Sequence, residues 1–255
     1  MKIPDAGAVD IKLTGYDDQN KTTVMWTGTG KISDGVADPG ANIVTLAAGP
    51  GLTTGSSAIP WNSSITYGTL SDPRDSRSYK TVVIGAQTWM AGNLNYAGTG
   101  TTVGVCYYSS ADSCAKYGRL YTWAEAMAGS VSSTASPSGV QGLCPVGWHV
   151  PSDAEWTTML TFVEPTNTTD GTKLKSSSGW NSSGNGTDIY GFRALPGGGI
   201  VGGASDMVGN YGGWWSATEY DASNAWYRYM GYNNAYVARY DINQSYGFSL
   251  RCAQD

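Results

Sequence analysis

Charged residues are scarce in this sequence, and the basic ones are outnumbered. Asp, Glu, Lys and Arg make up 14% of the 255 residues, well below the roughly 25% of an average soluble domain. With 15 basic and 20 acidic side chains the formal net charge is −5, so the basic footprint of a nucleic-acid-binding protein is missing. We therefore expect no nucleic-acid partner.

Histidine and long apolar runs are also lacking. A single histidine, His149, leaves little for His-based metal or acid–base chemistry. No apolar run approaches the roughly 18 residues of a membrane-spanning helix. The sequence turns polar directly after Met1, which predicts no secretory signal in this chain. We expect no cofactor, no metal site, no catalytic residue and no membrane-spanning segment.

Glycine, tyrosine and tryptophan are what the sequence has in abundance. It contains 35 Gly, 17 Tyr and 10 Trp but only 3 Phe. Tyr and Trp are the aromatic residues that present an apolar face and a polar tip, and they are typical of surfaces that are half wet. This composition favours an extracellular binding protein rich in strands or loops over a cytosolic α/β enzyme.

The chain divides by composition into two regions. Residues 1–68 contain no cysteine, and their short alternating runs predict a small β-rich N-terminal arm or domain. This arm ends in a Gly/Thr/Ser-rich stretch at 49–57 that is typical of a linker. From residue 69 onwards Trp, Tyr and Cys become dense, which predicts a second domain at 69–255.

Helix and strand signals are clearest in the second region. Ser152 and Glu155 form a capping-box pattern that begins a helix reaching about Phe162. His149, just before that helix, is interpreted as a structural histidine because no nucleophile motif accompanies it. A second helix is predicted at 120–128, and strands are predicted at 79–84, 214–216, 225–230, 236–240 and 248–252.

Four cysteines are the firmest chemical signal: Cys106, Cys114, Cys144 and Cys252. Their spacing is not C-x-x-C, which disfavours zinc sites and thioredoxin-like redox sites. An even number in a chain rich in Tyr, Ser and Gly favours two disulfides, for which three pairings exist. We prefer Cys106–Cys114 with Cys144–Cys252, and four free buried thiols are the alternative.

Five blocks, in this order along the chain, carry a resemblance to a known family. They are QTWMAGNLNY at 87–96, YGRLYTW at 117–123, CPVGWHVPSDAEW at 144–156, WSATE at 215–219 and GFSLRC at 247–252. Together they closely resemble the Fibrobacter succinogenes major paralogous domain across residues 69–255. The resemblance leaves residues 1–68 unexplained.

The resemblance implies an α+β domain with the C-type lectin-like fold. That fold has two helices, small twisted antiparallel sheets and long loops that carry the binding surface. Family members are mostly secreted or surface proteins of bacteria, and most lack an established activity. The sequence departs from the calcium-dependent sugar-binding lectins of this fold, because it has no Glu-Pro-Asn, Gln-Pro-Asp or Trp-Asn-Asp triplet.

The stretch 220–246 is the candidate ligand-binding surface. Tyr, Asn, Ser and Gly dominate it, as they dominate antibody combining sites, where Tyr supplies contact area at low entropic cost. It also resembles the variable regions of diversity-generating retroelements, in which mutagenesis of Asn codons yields Tyr, Asp, Ser, Ala and Gly. An ordinary Tyr/Asn-rich sheet rim without a ligand is the alternative. The predicted ligand contacts are Tyr220, Asp221, Tyr229, Tyr232, Asn233, Asn234, Tyr236, Ala238, Tyr240, Asp241 and Asn243.

Strand alternation predicts which side chains in this stretch share a face. Trp226, Arg228 and Met230 would point one way, and Tyr227 and Tyr229 the other. We expect one of these sets to pack against the core and the other to be displayed to solvent.

These patterns favour a non-enzymatic binding module at the cell surface or outside the cell, whose ligand is a protein or glycan on another cell. The second hypothesis is a structural or appendage subunit, or a phage tail-tip receptor-binding protein on the virion surface, in which residues 1–68 mediate self-assembly. The third and weakest is a carbohydrate-active enzyme. It would need two carboxylates about 5–10 Å apart in a cleft, and nothing in the sequence singles out such a pair.

Overall fold

The computed structural model describes residues 59–255, which form an α+β domain with antiparallel strand pairing between its strands. The β-rich arm is predicted for residues 1–68. Residues 1–58 of that arm lie outside the described residues. Ile59 is buried with Tyr117 and Leu195, so residues just after 58 already belong to the folded domain.

Four α-helices and one 3₁₀ turn are present in the described part of the chain. The turn is Tyr107–Ser109, and the helices are α1 (Ala111–Tyr117), α2 (Trp123–Met127), α3 (Asp153–Val163) and α4 (Asp170–Leu174).

Ten strands form three sheets within residues 59–255. They are β1 (Gly68–Asp72), β2 (Arg77–Ile84), β3 (Gln87–Met90), β4 (Trp148–His149), β5 (Gly199–Val201), β6 (Ala204–Asp206), β7 (Tyr211–Glu219), β8 (Asn224–Gly231), β9 (Ala238–Asn243) and β10 (Ala253–Gln254). The first sheet has the order β1-β2-β3-β10-β4, the second pairs β5 with β6, and the third has the order β7-β8-β9. The third sheet and the loops that join its strands carry the predicted ligand contacts.

The predicted N-terminus of the helix that follows Ser152 is confirmed. The Ser152 hydroxyl accepts a hydrogen bond from the backbone N–H of Glu155, whose carboxylate accepts one from the Ser152 N–H, which completes the predicted capping box. Thr122 and Glu125 form the same reciprocal cap on α2. Each cap satisfies backbone donors that have no partner inside the helix, so both helices begin at a defined residue.

Three sequence expectations about secondary structure are wrong. The domain has four helices rather than two, because α1 and α4 are additional short helices. The stretch 248–252 is not a strand; Phe248 and Ser249 make only isolated bridges, to Tyr121 and Trp214. The helix predicted at 120–128 is shorter at both ends.

Two apolar cores flank the third sheet, and adjacent tryptophans divide between them. Trp214 and Trp215 are neighbours in β7 and point to opposite faces. Trp214 packs with Trp156 and Met230 in one core, whereas Trp215 packs with Phe248 in the other. All of these large side chains are nearly inaccessible to solvent. The third sheet therefore separates the two cores, and each of its faces packs against one of them.

The preferred disulfide pairing is confirmed. Cys106 and Cys114 close a short loop, with a sequence separation of 8. Cys144 and Cys252 join the segment before β4 to the segment before β10, with a separation of 108. No free cysteine remains in the chain. Among the described residues, no helix is long and apolar enough to cross a membrane.

Candidate functional site

The faces of β8 follow the predicted alternation, but both faces are covered. Arg228 is 4% exposed beneath α3, and Tyr227 is 7% exposed against the opposite core. The expectation that one set of side chains is displayed is therefore wrong for the middle of β8. Exposed surface begins at its neighbour β9 and at the loop that joins the two strands.

Four tyrosines of the third sheet and of the loop that follows β8 form a row of contacting rings, which we call the tyrosine patch: Tyr211, Tyr229, Tyr232 and Tyr240. The ring centroids of Tyr211 and Tyr229 are 5.0 Å apart, and those of Tyr211 and Tyr232 are 6.2 Å apart. Tyr240 extends the row, 6.4 Å from Tyr229, and is 54% exposed. Offset and edge-on contacts of this kind hold the rings in place while leaving one side of the row in water.

The tyrosine patch is partly buried at Tyr229, which packs against the core that contains Tyr227. Burial and a hydrogen bond with the Tyr211 hydroxyl raise the pKa of Tyr229, and burial raises the pKa of Tyr227 beneath it to about 12. These hydroxyls therefore stay protonated at all physiological pH values. They can donate and accept hydrogen bonds, but they supply no charge to a ligand.

The loop between β8 and β9 borders the tyrosine patch and is held from outside. The buried Lys175 Nζ donates to the carbonyl oxygens of Gly231 (3.0 Å) and Asn234 (2.8 Å). The backbone N–H of Tyr232 donates to the Asn210 carbonyl at 2.8 Å. These bonds fix the loop backbone by groups that belong to other segments of the chain.

Helix α4 supports the second half of the same loop. Asp170 Oδ1 accepts a hydrogen bond from the Val237 N–H at 3.0 Å, and the Thr172 N–H donates to the Ala235 carbonyl at 2.8 Å. A Cβ at Gly171 would lie 2.7 Å from the carbonyl carbon and oxygen of Tyr236, so a larger residue does not fit there. The loop therefore contacts α4 through its backbone atoms, and these hydrogen bonds involve none of its side chains.

The opposite face of β8 and β9 is built around Asp153, at the start of α3. Arg228 Nη2 donates to Asp153 Oδ1 at 2.7 Å, and Arg239 Nε donates to Oδ2 at 2.9 Å. The Arg239 guanidinium carbon also lies 3.3 Å above the centre of the Trp226 ring. Burial lowers the pKa of Arg228 to about 10, which leaves it charged at neutral pH. This face is therefore occupied by a structural network.

The predicted ligand contacts separate into four places. Tyr229, Tyr232 and Tyr240 lie in the tyrosine patch. Asn233, Asn234 and Tyr236 lie in the adjoining loop. Ala238 is only 5% exposed and pairs with Tyr229 in the strand register. The remaining four lie elsewhere: Asp241, Asn243, Tyr220 and Asp221.

Those four residues are on the network face or at the far end of the sheet. Asp241 pairs with Trp226 in the strand register. Asn243 accepts hydrogen bonds from Ser245, and Tyr220 stacks edge-on against Trp226, with centroids 4.9 Å apart. The carboxylate of Asp221 accepts from the backbone N–H groups of Ser223 and Asn224, which closes the β7–β8 turn and lowers its pKa.

Sequence reasoning missed Tyr211, which joins Tyr232 to Tyr229. The pairing of Tyr211 with Gly231 across β7 and β8 brings its ring onto the patch. The sequence signal for Tyr211 is the YGGWW run at 211–215. Its two glycines allow the strand that contains Trp214 and Trp215 to begin as early as Tyr211.

The single histidine has a structural environment, as its sequence context indicates. His149 is 1% exposed; its Nε2 lies 2.7 Å from Glu155 Oε1 and its Nδ1 lies 2.7 Å from Asp255 Oδ1. Burial opposes the charged form, but the hydrogen bonds to these carboxylates prevail and raise the pKa of His149. Within residues 59–255 no group of three or more His, Cys, Asp and Glu side chains could hold a metal ion.

Comparison with known protein families shows to which family the chain belongs. The model of the Fibrobacter succinogenes major domain matches residues 82–254, more than half of the chain. The chain belongs to the Fibrobacter succinogenes major domain family. No curated protein and no solved structure matches the chain. The match extends from within β2 to β10 and so includes the entire tyrosine patch and its supporting loop.

Three of the blocks that carry the resemblance meet at a buried hub in this Fibrobacter succinogenes major domain. Asn93 Nδ2 donates to the Tyr117 carbonyl at 2.7 Å and to Ser249 Oγ at 3.1 Å. Its Oδ1 accepts from Trp214 Nε1 at 2.9 Å and from Arg251 Nε at 2.8 Å. All four bonding positions of the amide are used, which explains why Asn and Arg occur inside apolar segments of these blocks.

Proposed function

We propose that this protein is a non-enzymatic ligand-binding module whose recognition surface is the tyrosine patch with the adjoining loop 232–236. The observation that carries the proposal is the contiguous row of Tyr211, Tyr229, Tyr232 and Tyr240, half-buried at the first three and open to water at Tyr240. The architecture assigned with this function is the C-type lectin-like fold, in which strands and loops at one end of the domain present the ligand surface.

The chemistry of the patch favours binding by shape and hydrogen bonds over binding by charge. A tyrosine ring adds a large apolar area with only two rotatable side-chain bonds, and here several rings already hold one another in place. Asn233 and Asn234 add amide donors and acceptors beside the rings. A protein or glycan on another cell surface offers the apolar faces and hydroxyl groups that such a surface recognises.

The location assigned to the protein is the cell surface or the extracellular medium. Both disulfides use all four cysteines of the chain, and disulfides persist in oxidising compartments. The need of disulfides for an oxidising compartment therefore supports a location outside the cytosol.

The first experiment is binding of the full chain to an array of glycans and bacterial surface extracts, with and without a metal chelator. Tyr240→Ala and Tyr232→Ala are compared with Tyr108→Ala, a matched control that is 63% exposed and lies outside the third sheet. Aromatic anchors contribute about 2 kcal/mol, so we expect each patch variant to bind about 30-fold more weakly and the control to bind normally.

Three results would contradict the proposal. They are equal binding by all variants, loss of binding in chelator alone, and absence of binding to every element of the array by a folded wild-type protein. The last result would move weight to the structural or appendage hypothesis, for which the oligomeric state of the full chain, measured by light scattering, is the direct test.

We also propose that the loop and β9 are diversified by a retroelement. In support, the residues between 232 and 243 that fit the Asn-codon palette are mostly exposed or half-exposed, while Val237 is buried. The loop backbone is held by Asp170 and Lys175, outside the segment, so its side chains can change without loss of the loop conformation. The test is genomic: a near-identical repeat of this segment beside a reverse-transcriptase gene is expected, and its absence would refute this part.

A further inference from the structure

A concave site is lined by residues other than those of the tyrosine patch. It is a cleft of about 680 Å³ between β2, the segment after β3 and helix α1. A cleft of this volume accommodates a mono- or disaccharide or a molecule of similar size. None of the four tyrosines of the patch lines it.

The cleft is lined by charge of one sign. Four cationic side chains line it, Arg77, Lys80, Lys116 and Arg193, and no Asp or Glu does so among the described residues. The whole chain has only 15 Lys and Arg and a net charge of −5, so this concentration runs against its overall balance. A concave surface lined by one sign of charge focuses the electric field and attracts ligands of the opposite sign.

Two of these cations already have partners that occupy their hydrogen-bonding groups. Arg77 forms an ion pair with Asp75 at 2.8 Å and donates to the Asn95 carbonyl at 2.6 Å. Arg193 is buried and donates to the carbonyl oxygens of Ile59 and Pro60. These two arginines contribute positive potential to the cleft, but their donor groups are already used in contacts within the domain.

The two lysines are held in place without being neutralised. Lys80 Nζ lies 4.8 Å from the ring centres of both Trp61 and Tyr67, and Lys116 Nζ lies 5.0 Å from that of Tyr117. An aromatic face attracts an ammonium group and orients it, but leaves its positive charge and its N–H donors free for another partner. Within residues 59–255 neither lysine makes an ion pair.

We propose that this cleft binds a small anionic ligand, with a carboxylate or phosphate group held by Lys80 and Lys116. The Asn95 side chain also lines the cleft and has no hydrogen-bond partner in the described part of the chain, so it is available to a polar group of the same ligand. Charge-assisted hydrogen bonds from two ammonium groups supply the affinity, and the potential of Arg77 and Arg193 adds to it.

The experiment is a calorimetric titration of the full chain at low ionic strength with three probes. The probes are digalacturonate, its methyl ester as the matched uncharged molecule, and inorganic phosphate. The variants are Lys80→Gln and Lys116→Gln. Lys173→Gln, which removes the same charge outside the cleft, is the control. Near-UV circular dichroism verifies that each variant is folded.

We expect at least one anionic probe to bind, the methyl ester not to bind, and each cleft variant to bind about tenfold more weakly. Binding of phosphate means that the anionic group alone suffices; binding of digalacturonate without phosphate means that a carboxylate on a sugar ring is recognised. The proposal is overturned if neither anion binds, if the ester binds as tightly as the acid, or if both cleft variants retain the affinity of the control. The outcome is independent of the array experiment, because the two sites share no residue.

Discussion

At the scale of single residues, the buried side chains of Asn93 and Arg251 are each held by several hydrogen-bond partners. Arg251 is fully buried, and its guanidinium donates to Asn93 Oδ1 and to the backbone carbonyls of Phe192 and Arg193. Burial lowers the pKa of Arg251 to about 9, because its charge is held by dipoles and not by an adjacent carboxylate. Such a network is stable only while every member is present.

Asn93→Ala is expected to lower the free energy of unfolding by about 3 kcal/mol, because it leaves the buried donors of Arg251 and Trp214 without their acceptor. Guanidinium unfolding followed by tryptophan fluorescence measures the loss. Asn95→Ala, whose side chain has no hydrogen bond in the described structure, should stay within about 0.5 kcal/mol of wild type. Similar losses in both variants would contradict the assignment of Asn93 as the hub.

His149 makes the stability of the fold depend on pH. Its pKa is raised in the folded state, so its contribution is complete below the unfolded value of about 6.5 and is lost as the pH rises through the folded value. We expect the unfolding free energy to fall above neutral pH in wild type and to fall less in His149→Gln. Urea titrations at several pH values from neutral upward test this. The pKa of Asp188, raised by burial to about 6, affects only lower pH.

At the scale of elements, the sequence predicts those features that depend on residues close together in the chain. The capping boxes of α2 and α3 are readable because both partners lie within four residues, and the alternation in β8 is readable because its period is two. The tyrosine patch is not readable, because Tyr211 meets Tyr229 and Tyr232 only through the β7–β8 register. The sequence also contains Arg228 and Arg239, but it does not show that they share Asp153, which lies on α3, far away along the chain.

Lys175→Met is expected to loosen the loop 232–236 without unfolding the domain. The variant removes the bonds to the Gly231 and Asn234 carbonyls, while the methionine side chain fills the space of the lysine stem. Burial already lowers the pKa of Lys175, so loss of its charge costs the fold little. Amide hydrogen exchange at Tyr232 should become about tenfold faster.

The matched control for that variant is Lys173→Met, two residues earlier, within α4. Lys173 pairs with Glu164 at the surface, at 2.9 Å, and loss of such a pair changes stability by less than about 1 kcal/mol. Its loop exchange should equal that of wild type. Unchanged exchange at Tyr232 in Lys175→Met would show that the lysine does not hold the loop.

At the scale of the whole molecule, two apolar cores are joined by the third sheet and closed by a long-range covalent bond. Cys144 and Cys252 are both fully buried in one of those cores. Their disulfide connects the segment before α3 with the segment that leads into β10. Cys106–Cys114, by contrast, closes only the short turn that precedes α1.

The two disulfides should therefore contribute unequally to stability. In the chain-entropy model, replacing Cys144 and Cys252 by Ala costs about 4–5 kcal/mol, whereas replacing Cys106 and Cys114 costs about 2–3 kcal/mol, because the first closes a much longer loop. Denaturant unfolding of the two double variants measures the difference. Equal losses, or a larger loss for the Cys106–Cys114 pair, would contradict this ranking.

The position of β10 also sets an order of events in the cell. β10 is the last of the strands to be synthesised, yet it lies between β3 and β4 in the first sheet. Until residues 253 and 254 leave the ribosome, β4 lacks the strand it pairs with and Cys144 lacks its partner. The first sheet and the long-range disulfide therefore cannot be completed until residues 253 and 254 have been synthesised, however early the other strands appear.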